Sequence, residues 1–133
     1  MRKTALLNSG ISTAISKMGH FDTIAIADAG LPTPPGVERI DVAITKGVPT
    51  FLSVFYAVLE ELHVQKAMLA REICEGNPTL YSALCEYFER RGIHVEMVSH
   101  ETLKTRTAQC RAVVRTGEAT PYANVILESG VIF

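Results

Sequence analysis

The sequence contains no tryptophan and only three cysteines, which are too few for a dense disulfide framework. Cys74, Cys85 and Cys110 show no CxxC spacing, and their odd number predicts buried or free thiols in a reducing compartment. His94 and His100 do not have the spacing of a recognised metal site. We therefore expect a cytoplasmic protein that holds no metal ion.

The sequence also lacks an excess of charge of one sign, because it contains 13 Lys and Arg residues and 14 Asp and Glu residues. The net charge of −1 gives no electrostatic reason to bind nucleic acid or an anionic membrane. The apolar start Ala5–Leu7 ends at Asn8, far short of the roughly 7–15 residues of a signal-peptide core. The apolar segment 51–62 contains two glutamates, so it is unsuited to spanning a bilayer. We expect neither nucleic acid nor a membrane as a partner.

Motifs for bound cofactors and covalent catalysis are absent too. Gly117 and Gly130 stand alone, so there is no glycine-rich phosphate loop, and no nucleophile elbow or Cys–His pairing is visible. Asp28 follows an apolar strand, but a phosphatase-type motif would carry a second aspartate where this chain has Gly30. The sequence therefore predicts no cofactor.

What the sequence does contain is a high proportion of apolar residues for its size. Of 133 residues, 47% are hydrophobic and 20% are charged, and the mean hydropathy is +0.18. The length predicts a single domain over residues 1–133. A domain this small needs much polar cover, so we expect part of its apolar surface to contact other subunits.

Hydrophobic periodicity predicts helices that alternate with short strands. The predicted helices are Ile11–Met18 with Gly19 as a left-handed C-cap, 51–62 with Thr50 as N-cap, a helix from Asn77-Pro78 to Gly92, and a short one from Ser99 through Leu103. The predicted strands are Thr23–Ala27, Ile40–Thr45, Lys66–Arg71, His94–Val98, Ala112–Arg115 and Asn124–Leu127. This alternation predicts one α/β domain with a largely covered sheet.

Two candidate functional residues flank the first predicted strand. His20 follows a helix end, where it is either a proton-transfer residue or a surface histidine favoured by the helix dipole. Asp28 follows the strand, where α/β proteins commonly bind ligands, but an aspartate there also binds the turn backbone two residues on. The residues alone leave both alternatives open.

Three further candidates lie later in the chain. His100 is either a ligand-binding residue or an exposed residue in the first turn of a helix. Tyr122 and Asn124 alternate as they enter the last strand, so we expect both side chains on one face. The alternatives are that Tyr122 packs beside Pro121 and that Asn124 makes a turn or bulge hydrogen bond.

Several segments together resemble the D-ribose pyranase family over almost the whole chain. They are LLNSGIS, MGHFDTIAIADAGLPTP, RIDVAITKGVPTF, SHETLK and RTGEATPYANVIL, in that order. The related L-fucose mutarotases share the Gly-His-x-Asp element and the late Gly-Glu, but have Tyr-Gly-Asn where this chain has Tyr122, Ala123 and Asn124. The resemblance therefore favours ribose.

The resemblance implies a three-layer α/β sandwich with a central, mostly buried mixed sheet flanked by helices. It also implies a homo-oligomer, a decamer of two stacked pentameric rings, with sites near the subunit boundaries. The implied ligand is D-ribose, and no metal or cofactor is implied.

The resemblance also implies roles for individual residues. His20 would be the catalytic proton donor, and Asp28, His100 and the segment Tyr122-Ala123-Asn124 would bind the sugar. Lys104 would be a further sugar contact. Our own hypothesis for the mechanism is that Asp28 holds a sugar hydroxyl or orients His20.

Ribose ring exchange needs a hemiacetal to open and close again through a different hydroxyl, and a histidine both gives and takes protons near neutral pH. The assignment requires the His20 ring to share a pocket with Asp28 and Tyr122, and the sequence leaves open whether a neighbouring subunit completes that pocket. Two alternatives remain, an L-fucose mutarotase and a non-catalytic sugar-binding accessory of ribose transport.

Overall fold

The computed structural model describes residues 1–133 and contains one six-stranded sheet. Its strands are β1 (Thr23–Ala27), β2 (Glu38–Asp41), β3 (Val64–Ala70), β4 (His94–Val98), β5 (Ala112–Arg115) and β6 (Val125–Ser129), in the spatial order β2-β5-β1-β6-β3-β4. The pairs β1–β5, β2–β5 and β3–β4 are parallel, whereas β6 is antiparallel to both of its neighbours. The sheet is therefore mixed, as expected.

One α-helix precedes the first strand, and four lie in the connections between strands. They are α1 (Ser9–Ser16), α2 (Phe51–Leu59), α3 (Ile73–Gly76), α4 (Pro78–Arg91) and α5 (His100–Arg106), and a 3₁₀ turn follows at Thr107–Gln109. The predicted caps Thr50 and Ser99 accept hydrogen bonds from Ser53 N and Thr102 N. Gly92 ends α4 in the left-handed conformation, with φ of 65°, as its position predicts.

Apolar side chains cover both faces of the sheet because successive strand residues point to opposite sides. In β1, Ile24 and Ile26 join a core of 24 buried residues shared with α1, α2 and α4. Ala25 and Ala27 point the other way, into a smaller core of 9 buried residues that includes Leu103 of α5. The expected fold class, a three-layer α/β sandwich with a buried mixed sheet, is confirmed.

Several local predictions are wrong, among them the end of α2, which lies at Leu59 and not at residue 62. Helix α1 ends at Ser16 with Lys17 in the right-handed region, and the positive φ of this turn falls on Phe21 instead of Gly19. Strand β2 spans Glu38–Asp41 instead of Ile40–Thr45, and the Asp41 side chain accepts a hydrogen bond from Ala43 N just after the strand.

A further error concerns the entrance to the last strand. Strand β6 begins at Val125, and Tyr122 has a positive φ of 58°, so alternation along a strand does not relate Tyr122 to Asn124. None of the helices combines the length and apolar character needed to cross a membrane.

The topology places the functional candidates at two opposite ends of the sheet. We call the end at which β1, β3, β4 and β5 finish and β6 starts the carboxyl end. The opposite end, where these parallel strands start and β6 finishes, is the amino end.

Candidate ligand site at the carboxyl end of the sheet

Asp28 and Asn124 form a reciprocal pair at the carboxyl end. Asp28 N donates to Asn124 Oδ1, and Asn124 Nδ2 donates to Asp28 Oδ2, each over 2.9 Å. Asn124 is fully buried, so both polar ends of its amide need partners, and this pair supplies one to each. The pair joins the residue after β1 to the residue before β6.

Asp28 also shapes the turn that follows it. Its Oδ1 accepts hydrogen bonds from Gly30 N and Leu31 N, both at 2.9 Å. The alternative of a bond to the turn backbone is therefore confirmed for Asp28, in addition to the bond with Asn124. These bonds occupy three of about four acceptor positions of a carboxylate, which leaves one on Oδ2 for a hydroxyl donor.

The segment Tyr122-Ala123 lies beside this pair in a constrained turn. Asn77 Nδ2 donates to Pro121 O over 3.0 Å and to Thr120 Oγ1 over 2.8 Å, which fastens the turn to the start of α4. Asn77 thus stands at the predicted cap position without capping α4 by its side chain. Ala123 is fully buried and contributes packing at this point.

His100 meets Tyr122 ring to ring, with centroids 5.2 Å apart and planes at 78°. Its backbone N–H donates to both carboxylate oxygens of Glu72, at 3.1 and 3.0 Å. That hydrogen bond is the main cause that lowers the pKa of Glu72. The alternative of a simple exposed residue does not hold for His100, because its Nδ1 is buried and has no hydrogen-bond partner.

An unpartnered buried nitrogen is uncommon and costs free energy unless a ligand or water satisfies it. Glu72 and Tyr122, which both contact His100, line an open cleft of about 570 Å³. Arg71, Cys74 and Gly76 are among its other lining residues. The carboxyl end therefore presents uncharged, acidic and basic hydrogen-bonding groups, and such a mixture of donors and acceptors can bind a polyhydroxylated ligand.

His20 lies at the other end of the sheet. It is exposed, stacks on Phe21 with ring centroids 3.7 Å apart, and its Nε2 lies 3.1 Å from Gln65 Oε1 at the start of β3. Strand β1 separates His20 from Asp28, and five residues of strand span about 17 Å. Within one chain, therefore, His20 does not share a pocket with Asp28 and Tyr122, and Asp28 does not orient His20.

Lys104, the further candidate from the resemblance, makes an ion pair within its own helix. Its Nζ lies 2.6 Å from Glu101 Oε1, one turn earlier in α5. No group of three or more His, Cys, Asp or Glu side chains converges as metal ligands would.

Sequence analysis missed three residues that build the site, Glu72, Gly76 and Asn77. Glu72 follows the end of β3, so the rule that pointed to Asp28 also applies to it. No local pattern signals Gly76, where an added Cβ would lie 2.6 Å from the Tyr122 ring. Asn77 was predicted only as a helix cap, because its partners lie more than forty residues away.

The fold and the site define an α/β protein with a polar ligand site where the parallel strands end. The chain belongs to the RbsD / FucU transport protein family, whose sequence profile matches residues 1–132.

Relatives named D-ribose pyranase align with this chain over its full length. A D-ribose pyranase of Clostridium perfringens is 52% identical over 133 residues, and one of Coprothermobacter proteolyticus is 53% identical, each over 100% of both chains. The structure of Bacillus subtilis RbsD complexed with D-ribose has a TM-score of 0.95 at 42% identity, and the match covers 100% of both chains.

The fucose branch of the family is more distant in sequence. A fucose mutarotase of Streptococcus pneumoniae in complex with L-fucose has a TM-score of 0.79 at 20% identity, over 100% of both chains. At that identity the similarity concerns the fold alone.

Proposed function

We propose that this chain is a D-ribose pyranase, an isomerase that interconverts β-D-ribopyranose and β-D-ribofuranose in ribose catabolism. The observation that carries the proposal is the 52% identity to a D-ribose pyranase over the full length of both chains. The 42% identity to a ribose-bound RbsD supports ribose over fucose, since the fucose mutarotase shares only 20%.

In this proposal the carboxyl end holds the sugar. Asp28 Oδ2 has an acceptor position free, and His100 Nδ1 has no partner, so each takes a sugar hydroxyl. The Tyr122 ring forms one wall of the cleft, while Ala123 and Asn124 fix its position relative to Asp28.

His20 would transfer the proton. Its protonated ring gives a proton to the ring oxygen O5, the C1–O5 bond breaks, and the anomeric hydroxyl loses its proton to water, which leaves an open-chain aldehyde. After rotation, O4 attacks C1, the O4 proton passes to neutral His20, and the carbonyl oxygen takes a proton from water. Protons balance over the cycle, and a positioned acid–base group contributes about 10²–10⁴-fold to the rate.

Because His20 and the sugar-binding residues lie at opposite ends of one sheet, we propose that the site forms between two copies of the chain. His20 is exposed, and Phe21 beside it is a large apolar side chain with 64% of its surface accessible. This arrangement would make a homo-oligomer a condition of activity, and the resemblance favours a decamer of two pentameric rings. The three free cysteines support a cytoplasmic location, where thiols stay reduced.

The test is saturation-transfer NMR on ribose at equilibrium, in which one ring form is irradiated and the signal of the other is followed. We expect the protein to accelerate exchange and His20→Ala to remove that acceleration while the fold is retained. Undiminished exchange in a folded His20→Ala variant would exclude His20 from the mechanism.

The same measurement separates the alternatives. Faster exchange of L-fucose than of ribose would indicate a mutarotase. Ribose binding with exchange at the buffer rate would indicate a transport accessory without catalysis.

A further inference from the structure

A chain of hydrogen bonds leads from His20 to a carboxylate that the proposed mechanism does not use. His20 Nε2 lies 3.1 Å from Gln65 Oε1, and Gln65 Nε2 donates to Glu128 Oε1 over 2.8 Å. Gln65 and Glu128 lie on the antiparallel strands β3 and β6, so the bonds cross the amino end of the sheet.

The chemistry of the three groups sets the direction of each bond. A carboxylate only accepts hydrogen bonds, so the Gln65 group that faces Glu128 is the NH₂ group. The Gln65 oxygen then faces His20 and also only accepts, so His20 Nε2 carries a hydrogen in the neutral as well as the charged ring. In the neutral ring the free lone pair is therefore on Nδ1.

The backbone holds Gln65 in place for this contact. The register of β3 against β6 shifts between Val64 and Lys66, which leaves Gln65 as the extra residue of a bulge. Bulges commonly redirect a side chain next to a functional site. Gly130 leaves space beside it, since an added Cβ at Gly130 would lie 2.8 Å from the His63 ring and 3.2 Å from Gln65 Cβ.

The surrounding charges leave Glu128 available to Gln65. Lys66 lies opposite Glu128 in the strand register and is attracted by its charge, but the Lys66 Nζ makes its ion pair with Glu96 at 2.9 Å. On the side of β1, Asp22 is paired with Arg111, also at 2.9 Å. Glu128 therefore has Gln65 as its hydrogen-bond partner, and Gln65 joins it to His20.

We infer that Gln65 and Glu128 are positioning residues that hold His20 as the Nε2–H tautomer, so that Nδ1 exchanges the proton with the sugar. The inference rests on the proposed role of His20 as the proton-transfer residue. Glu128 acts through Gln65, and neither side chain needs to touch the substrate.

The direct test is ¹⁵N NMR of protein labelled in histidine, because the ring nitrogens of the two neutral tautomers have different shifts. His20→Gln identifies the His20 signals among the four histidines of the chain. We expect neutral His20 to be the Nε2–H tautomer in the unaltered protein.

Glu128→Gln and Gln65→Leu remove the constraint in different ways. In Glu128→Gln the new amide both donates and accepts, so the Gln65 amide can bind it in either orientation and can present its oxygen or its NH₂ group to His20. We therefore expect a mixture of the two neutral His20 tautomers. In Gln65→Leu the hydrogen bond to His20 is lost. For both variants we expect kcat for ring exchange to fall about 10-fold with little change in KM, a smaller loss than the 10²–10⁴-fold contribution of the acid–base group itself.

The double variant Gln65→Glu/Glu128→Gln provides a rescue. A glutamate at 65 would accept from His20 Nε2–H and from the new amide at 128, so the same tautomer is fixed with the carboxylate moved by one position. We expect the Nε2–H signals and most of kcat to return. Glu89→Gln is the control for the loss of one negative charge, because Glu89 is exposed on α4 and has no bond to the residues around His20.

The outcomes separate the inference from the function on which it depends. If His20 is an Nδ1–H tautomer in the unaltered protein, or stays Nε2–H in both single variants, the inference is overturned whatever the activity. If the tautomer shifts as expected but His20→Ala keeps full exchange, the proposed mechanism fails while the positioning of His20 stands.

Discussion

At the scale of single residues, Tyr122 shows how the site depends on a close contact that no local pattern signals. Its backbone φ of 58° is uncommon for a residue with a side chain, so the surrounding bonds must hold it there. The bonds from Asn77 do this on one side, and the approach of the Tyr122 ring to Gly76 does it on the other.

Gly76→Ala is therefore expected to displace the Tyr122 ring, since the new Cβ would meet Tyr122 Cδ2 at 2.6 Å. Overpacking of this kind costs about 1–3 kcal/mol, and we expect KM for ribose to rise as the cleft wall moves. Urea unfolding and NMR exchange measure the two effects.

The loss of stability caused by Gly76→Ala should depend on the presence of the Tyr122 ring. In a Tyr122→Ala background Gly76→Ala should cost almost nothing in the free energy of unfolding, because the clash is gone. If Gly76→Ala lowers the free energy of unfolding equally in both backgrounds, the destabilisation does not come from a clash with the Tyr122 ring.

At the scale of elements, the start of α2 and the turn before β6 share one carboxylate. Glu118 Oε2 accepts from Phe51 N over 3.0 Å at the first residue of α2, while Oε1 accepts from Ala119 N, Thr120 N and Thr120 Oγ1. Partial burial acts to raise the pKa of Glu118, but these hydrogen bonds outweigh it and the pKa is lowered. Glu118 thus ties helix α2 to the turn that carries Tyr122.

A lowered pKa in the folded state gives this carboxylate a defined effect of pH on stability. Its contribution is complete above the ordinary glutamate value and is lost as the pH falls through the lowered folded value. We expect Glu118→Gln to reduce the free energy of unfolding by about 1–3 kcal/mol at neutral pH, and the difference from the unaltered protein to shrink toward about pH 3.

Urea titrations at the two pH values measure this difference. Glu89→Gln, at an exposed position of α4, is the control for loss of one negative charge. A deficit for Glu118→Gln that stays the same at both pH values would contradict the role given to its ionised form.

At the scale of the whole molecule, the proposed proton-transfer residue His20 and the proposed sugar-binding residues occupy opposite ends of one sheet. About 17 Å of strand separates His20 from Asp28, too far for both to contact one ribose. The requirement for a shared pocket can therefore be met only between chains, which makes assembly part of the proposed chemistry.

Subunit complementation tests this division. His20→Ala and His100→Ala should each be inactive, but co-expression should restore activity, since about one quarter of sites between randomly mixed chains would carry both native residues. Two affinity tags isolate the hybrid assemblies for NMR exchange.

The matched control combines two variants of the same end, His100→Ala with Tyr122→Ala. Each chain then carries a defect in its own sugar-binding part, so no site is intact and no activity should return. Restoration in this control, or none in the first mixture, would contradict a site shared between chains.

The sequence by itself determined the elements whose signals are local. Strand β1, helix α2 with its Thr50 cap and the end of α4 at Gly92 all follow from periodicity and capping chemistry within a few residues. Helix α3, with only four residues, is too short to show a period, and it was not predicted. Asp28 was found because it directly follows a buried strand.

Only the tertiary structure decided which of the candidate residues meet. The pairing of Asp28 with Asn124, the contact of His100 with Tyr122 and the bonds from His20 to Glu128 join residues that are far apart in sequence. The prediction of β1 already implied that His20 and Asp28 are separated, because residues at the two ends of an extended strand lie far apart. The physical reason is that hydrogen bonds and ring contacts form over a few ångströms in space, and strand pairing sets those distances, not sequence spacing.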